Sequence, residues 1–164
     1  MRRTAGWLLL MLLAWNSVAA EWVESYRTAK NLAIRQNKKI LIFFTGSDWC
    51  PAGQELERNL FRSDAFHRLA DEKFVLYRAD FPKYARIGQE KEDRNRSLSR
   101  RYGIFNFPAV VVVEPKYGGM LARQIGMGGG MTPKMLLEKL AAVGKNAAGA
   151  DRKRTPVPAG KQVP

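Results

Sequence analysis

Between residues 21 and 143 the apolar positions fall into blocks whose spacing changes from one segment to the next. Trp22, Tyr26, Ala29 and Ala33 follow helical spacing and predict an amphipathic helix over 21–37 that covers one face of the next element. Ile40-Leu41-Ile42-Phe43-Phe44 is continuously apolar between Lys39 and Gly46, the pattern of a strand buried on both faces. After the loop Thr45–Trp49, a helical pattern starts at Pro51, includes Leu56 and Leu60, is re-capped at Ser63 and continues through Phe66 and Leu69. Phe74–Asp80 predicts a second strand, and the charged segment Lys83–Tyr102 is helical towards its end. Ala109–Glu114, with four valines in succession, predicts a third strand; the turn Pro115–Gly119 joins it to a fourth, Met120–Gly126, as a hairpin. Thr132-Pro133, an N-cap with proline at the first helical position, opens a last helix carrying Leu136, Leu140 and Val143 on one face. The order α-β-α-β-α-β-β-α combines a βαβ unit with an antiparallel hairpin, which implies a mixed sheet with helices on both faces.

The two ends of the chain lack this patterning. Residues 1–20 begin with Arg2 and Arg3, pass through the apolar run Ala5–Trp15 and finish on small residues, Val18-Ala19-Ala20, which is the layout of a secretory signal peptide cleaved after Ala20. The run is about half of what a membrane-spanning helix requires, so the expectation is an exported mature chain beginning at Glu21, periplasmic or secreted, with no transmembrane segment after cleavage. Residues 144–164 have almost no large apolar side chains, three prolines, and five Lys/Arg against one acid, and read as a disordered basic tail.

Those ends change the meaning of the charge. The whole chain of 164 residues carries +13, from 28 Lys+Arg against 15 Asp+Glu, but residues 21–143 hold 21 basic and 14 acidic groups, a net of +7. An exported protein has little access to nucleic acid. The basic surplus therefore points to acidic surfaces, wall polymers or anionic lipid headgroups as contacts of the tail, or to a solvated surface alone.

One cysteine and one histidine limit the chemistry. Cys50 alone makes no internal disulfide, and Cys50 with His67 makes neither an iron–sulfur site nor a usual zinc set, so no cofactor is implied. Cys50 directly precedes the helix that begins at Pro51, where free N–H groups and the positive end of the helix favour thiolate over thiol. Its neighbours Gly46, Ser47, Asp48 and Trp49 are those of a surface loop, which predicts an accessible thiol; Asp48, an anion in the same loop, opposes ionisation of that thiol. Seventeen residues of mostly helix separate His67 from Cys50, which argues against a general-base role. Arg96 and Arg100 share a helix face within an acidic and basic run that reads as solvated.

The segment Phe43-Phe44-Thr45-Gly46-Ser47-Asp48-Trp49-Cys50-Pro51-Ala52-Gly53 resembles the active-site segment of exported thioredoxin-like proteins, a strand followed by Trp-Cys-x-x-Cys. Tyr102-Gly103-Ile104-Phe105-Asn106-Phe107-Pro108-Ala109 is similar to that family's tyrosine-glycine-isoleucine and proline-strand segment, and Gly126–Gly130 to the glycine-containing loop before its last helix. The resemblance covers 21–143 and implies an α/β, three-layer fold with a central mixed four-stranded sheet flanked by helices. It further implies that Cys50 is the candidate nucleophile, that Pro108 is cis and faces it, and that Trp49, Phe107 and Pro108 line a substrate groove. At two positions the chain departs from the family. The resolving cysteine of the family is Gly53 here, so a mixed disulfide on Cys50 has no internal thiol to release it. The family's buried acid falls on Phe44.

Three readings result: a client-binding or scaffold protein without dithiol redox turnover, holding exported proteins or peptides; monothiol disulfide exchange or deglutathionylation through Cys50 with an external thiol as resolver; or a structural domain whose basic tail does the binding. The expected leader is tested by the intact mass of the exported protein, which should correspond to a chain starting at Glu21; a mass that retains Met1–Ala20 contradicts cleavage.

Overall fold

The computed structural model describes residues 21–143. The expected leader, 1–20, and the expected tail, 144–164, lie outside the described residues. Five strands form one mixed sheet in the order β1-β3-β2-β4-β5: β1 Trp22–Val23, β2 Lys39–Thr45, β3 Phe74–Asp80, β4 Ala109–Val113 and β5 Met120–Ile125. β1 and β2 run parallel to β3, whereas β4 is antiparallel to both β2 and β5. Helix α1 (Tyr26–Arg35), α2 (Pro51–Leu56) with a π-helical continuation at Glu57–Phe61, α3 (Asp64–Lys73), α4 (Gln89–Tyr102) and α5 (Pro133–Ala142) complete the domain. Among the described residues, no helix is long and apolar enough to cross a membrane.

The unbroken apolar run of β2 is explained by its position between β3 and β4, with helices on either side. Ile40, Ile42 and Phe44 enter one core with α1 residues Ala29 and Ala33, α4 residues Leu98 and Tyr102, and Val111 of β4. Leu41 and Phe43 enter the opposite core with Leu56, Leu60 and Phe61, with Phe66 and Ala70 of α3, and with Leu136 and Leu140 of α5. Alternation along a strand sends successive side chains to opposite faces, so a central strand covered on both sides has no polar position to offer.

The sheet has five strands where the sequence predicts four, and the difference lies at the first element. Trp22-Val23 is extended and pairs with Leu76-Tyr77. The helix starts only at Tyr26, after Ser25, whose hydroxyl accepts from Thr28 N–H at 3.1 Å. Helical spacing would put Trp22 and Tyr26 on one face. Instead, the Trp22 ring packs against Phe43 and Phe61 in one core, and the Tyr26 ring packs edge-on to Tyr77 in the other. Two aromatic residues four apart can serve opposite faces of a sheet only if the chain between them is not helical.

The π turn is a second departure from a continuous α-helical pattern. It brings the neighbouring residues Leu60 and Phe61 both into the core, where Phe61 meets Phe43 at 4.7 Å and Phe66 at 4.9 Å between ring centroids. Ser63 and Thr132 cap α3 and α5 as the sequence predicts, accepting from Phe66 N–H and Met135 N–H. The motif Tyr102-Gly103-Ile104 is a helix ending: Gly103 takes the left-handed conformation at φ 64°, and Ile104 N–H returns to Ser99 C=O at 2.9 Å while its side chain is fully buried.

One buried polar contact ties α4 to the end of β3. Tyr77 donates to Asn95 Oδ1 at 2.6 Å, and Asn95 Nδ2 donates to the Asp80 carbonyl at 2.8 Å. Burial pushes the Tyr77 hydroxyl up to about 12, so it remains a donor throughout the physiological range. Asn95→Ala strands the Tyr77 hydroxyl and the Asp80 carbonyl together, and is expected to cost about 1–3 kcal/mol in denaturant unfolding; a loss below roughly 0.5 kcal/mol contradicts that role for the contact.

Candidate functional site

β2 and β3 are parallel neighbours, so their carboxyl ends emerge side by side, with Thr45 paired to Asp80. The connection from β2 to α2 is folded on itself by Cys50 N–H and Trp49 N–H, which both donate to the Gly46 carbonyl, at 2.8 and 3.2 Å. Gly46 is required there, because a Cβ on it would meet the Trp49 indole at 2.2 Å. Cys50 then stands at the N-cap of α2, and Pro51 at the first position has no N–H to leave unpaired.

The chain after β3 grips this loop at several points in succession. Asp80 accepts from Ser47 N–H at 2.8 Å and from its hydroxyl at 2.6 Å. Trp49 Nε1 donates to the Phe81 carbonyl at 2.7 Å. Asp48 accepts three backbone N–H groups, from Lys83 at 3.0 Å, Tyr84 at 2.8 Å and Ala85 at 3.0 Å. Slight desolvation tends to raise the Asp48 pKa, but the donors from Lys83, Tyr84 and Ala85 outweigh it and hold the carboxyl below its ordinary value. The sequence presents Asp48 as an anion of the thiol's loop; the structure adds that its carboxylate is a clamp for 83–85.

The third piece is the Phe107–Pro108 turn, whose peptide bond is cis. The Phe107 ring lies edge-on to Trp49 at 5.9 Å and stacks on Phe81 at 4.8 Å. Lys83 Nζ caps the indole 4.4 Å from its centroid. The structure thus brings Trp49 and Phe107 into contact, and Phe81 and Lys83 join them unannounced. Their signal was their place directly after a strand parallel to β2, since ligand sites of open α/β sheets gather outside strand carboxyl ends. Phe105, in the same turn, is 72% exposed. His67 takes no part: it is carried by α3 against Phe66.

The accessible thiol is corrected by the structure. Cys50 exposes only 4% of its surface, because the folded-back loop with Trp49 over Gly46 holds the N-cap position against the end of β2. Gly53, on α2, is buried too, and Phe44, at the place of the family's acid, is fully buried in the apolar core. The Asp48 clamp has a pH signature. With the folded carboxyl depressed, its stabilisation is present above the unfolded pKa and disappears as pH falls through the folded one. The protection of the Lys83, Tyr84 and Ala85 amides, taken relative to the intrinsic exchange rate at each pH, should therefore fall as that acid range is entered, and Asp48→Asn should show the lower protection already at neutral pH. Equal protection in the two proteins contradicts the clamp.

Comparison with known proteins agrees with this arrangement. A family model described as thioredoxin-like matches residues 21–115. The disulfide bond reductase DsbH of Chlamydia pneumoniae is 30% identical over 122 residues, covering 74% of this chain and 72% of that protein. A solved DsbH oxidoreductase superposes with a TM-score of 0.65 at 27% identity, over 84% of this chain and 94% of the other. A thioredoxin from Thermus thermophilus shares the fold with a TM-score of 0.57 at 21% identity, over 74% and 85% of the two chains. A strand leading to Trp-Cys at a helix start, a proline turn packed against that tryptophan and a matching family model over most of the described residues lead to one conclusion: the chain belongs to the thioredoxin-like family, among the relatives of DsbH.

Proposed function

We propose that this protein is an exported client-binding member of its family that holds extended protein or peptide segments without dithiol redox turnover. The observation that carries the reading is the aromatic wall of Trp49, Phe107 and Phe81 assembled beside a site whose single thiol is 4% exposed and whose second position is glycine. A thiol that is both shielded and without a resolver is poorly suited to turnover. The wall remains suited to binding: large rigid side chains supply contact area at little cost in side-chain freedom. The ladder of β4 begins at Ala109, so the Phe107 backbone lies just outside it, in a position to pair with an extended segment. The signal-like residues 1–20 support export, and the basic residues of 144–164 offer an additional contact for acidic surfaces.

A second reading is favoured by a separate observation, the 30% identity to a protein named a disulfide bond reductase. In it, Cys50 forms a mixed disulfide that an external thiol resolves.

The two are separated by binding of an unfolded polypeptide whose own cysteines have been blocked, followed by tryptophan fluorescence. The binding reading expects Cys50→Ser to leave affinity unchanged, while Trp49→Ala and Phe107→Ala, checked for folding by circular dichroism, each weaken it about ten-fold or more. If blocked polypeptide fails to bind, and one that carries a disulfide is captured only as a reducible adduct, formed as the Cys50 thiolate expels one client sulfur and abolished by Cys50→Ser, the monothiol reading replaces it.

A further inference from the structure

The loop that Asp48 holds carries charge of a single sign: residues 82–87 include Lys83 and Arg86 and no acid. Both side chains are exposed, and among the described residues neither forms an ion pair; the bridges are Arg78–Glu57, Lys91–Glu24 and Arg96–Glu92. Phe81 links the two cations. Its ring stacks on Phe107 in the aromatic wall, where Lys83 Nζ lies 4.4 Å from the Trp49 centroid. Phe81 also lines a cleft of about 550 Å³ together with Ile87 and Arg86. Asp80, Glu92 and Arg96 line the same cleft, but Asp80 takes the amide and hydroxyl of Ser47, and Glu92 pairs with Arg96. Asp48 is likewise engaged, by three backbone N–H groups. Lys83 at the wall and Arg86 in the cleft are therefore left as uncompensated charges on a loop whose backbone is pinned.

We propose that the client groove continues from the aromatic wall past Phe81 into this cleft, and that Lys83 and Arg86 make it selective for extended polypeptide segments in which acidic residues lie beside apolar ones. This selectivity rests on the client-binding reading above and adds the class of client. An apolar side chain packed against Trp49 and Phe107 removes water from the Lys83 ammonium. Without a counter-charge that desolvation is a cost; a carboxylate on the neighbouring client residue offsets it through a charge-assisted contact. A basic client residue at the same place adds repulsion to the cost, so one cation attracts one class of segment and rejects the other. Arg86, with its planar fork of donors, suits a second carboxylate in the cleft. The net +7 of residues 21–143 favours the approach of acidic segments from any direction. Positions 83 and 86 decide where along the groove the acids sit.

The test uses the full mature chain and a pair of cysteine-free peptides of equal length, each with a Phe-Val centre, that differ only in having two Glu or two Gln beside it; binding is followed by tryptophan fluorescence. The Glu peptide is expected to bind about five-fold or more tighter than the Gln peptide, in line with the strength of exposed charge pairs. Lys83→Met/Arg86→Gln, which keeps an apolar stem at the indole, is expected to cut that ratio to about two-fold or less. Arg35→Gln/Lys116→Gln removes the same charge at the opposite end of the sheet, where α1 ends and β4 turns into β5, and is expected to keep the full ratio. Equal affinity for the two peptides overturns the selectivity. So does a ratio that survives in Lys83→Met/Arg86→Gln, or one lost equally in both double variants, since net charge would then account for it. Poly-glutamate that binds as tightly as the Glu peptide also overturns it, because a polyanion site makes no use of the wall. If neither peptide binds, the client-binding reading falls and the selectivity with it, whereas equal binding of the two removes the selectivity alone.

Discussion

The geometry of the site depends on one arrangement, the binding of the β2–α2 loop to the chain leaving β3. Parallel pairing of β2 with β3 puts Thr45 beside Asp80, and beyond that point the two chains exchange a series of polar contacts: Ser47 with Asp80, Trp49 with Phe81, Asp48 with 83–85. Each link is local and short. Together they hold the indole over Gly46, place Phe81 where it stacks on Phe107, and leave Cys50 beneath the surface. The sheet supplies the rigid base for this loop, and Asn95 extends the support into the opposite helical layer by holding the Asp80 carbonyl.

On the proposed reading, this dependence is how a thioredoxin-like fold keeps its aromatic wall while its exchange chemistry is curtailed. Binding surfaces and redox groups of such a site are supplied by different residues. The wall comes from Trp49, Phe81 and Phe107, fixed by backbone carbonyls, aromatic contacts and strand pairing. The redox pair comes from positions 50 and 53, of which only the first retains sulfur. The second is a buried glycine on α2. Fold likeness alone does not carry activity.

Much of the domain was legible in sequence because its core is strongly patterned. The five-residue apolar run of β2, the valines of β4 and the capped starts of α3 and α5 each carry a signal set by nearest neighbours. What was not legible depended on contacts between distant segments. Trp22 has the spacing of a helix but its ring belongs to the opposite core from Tyr26, and pairing with β3 decides the matter. Asp48 reads as a neighbour of the thiol until residues 83–85 are seen to lie within its reach. Cys50 reads as exposed because its polar neighbours signal a loop, and polar loops fold back when a second chain satisfies them. The cysteine, tryptophan and proline positions were recoverable from motif alone, whereas Phe81 and Lys83 required the strand order.

Whether the site binds without turning over disulfides is decided by the rate at which a protein disulfide is reduced by excess dithiothreitol in the presence of increasing amounts of this protein. Binding without turnover gives a rate indistinguishable from that of dithiothreitol alone at every concentration. A rate that rises in proportion to the protein and falls to the background with Cys50→Ser contradicts it.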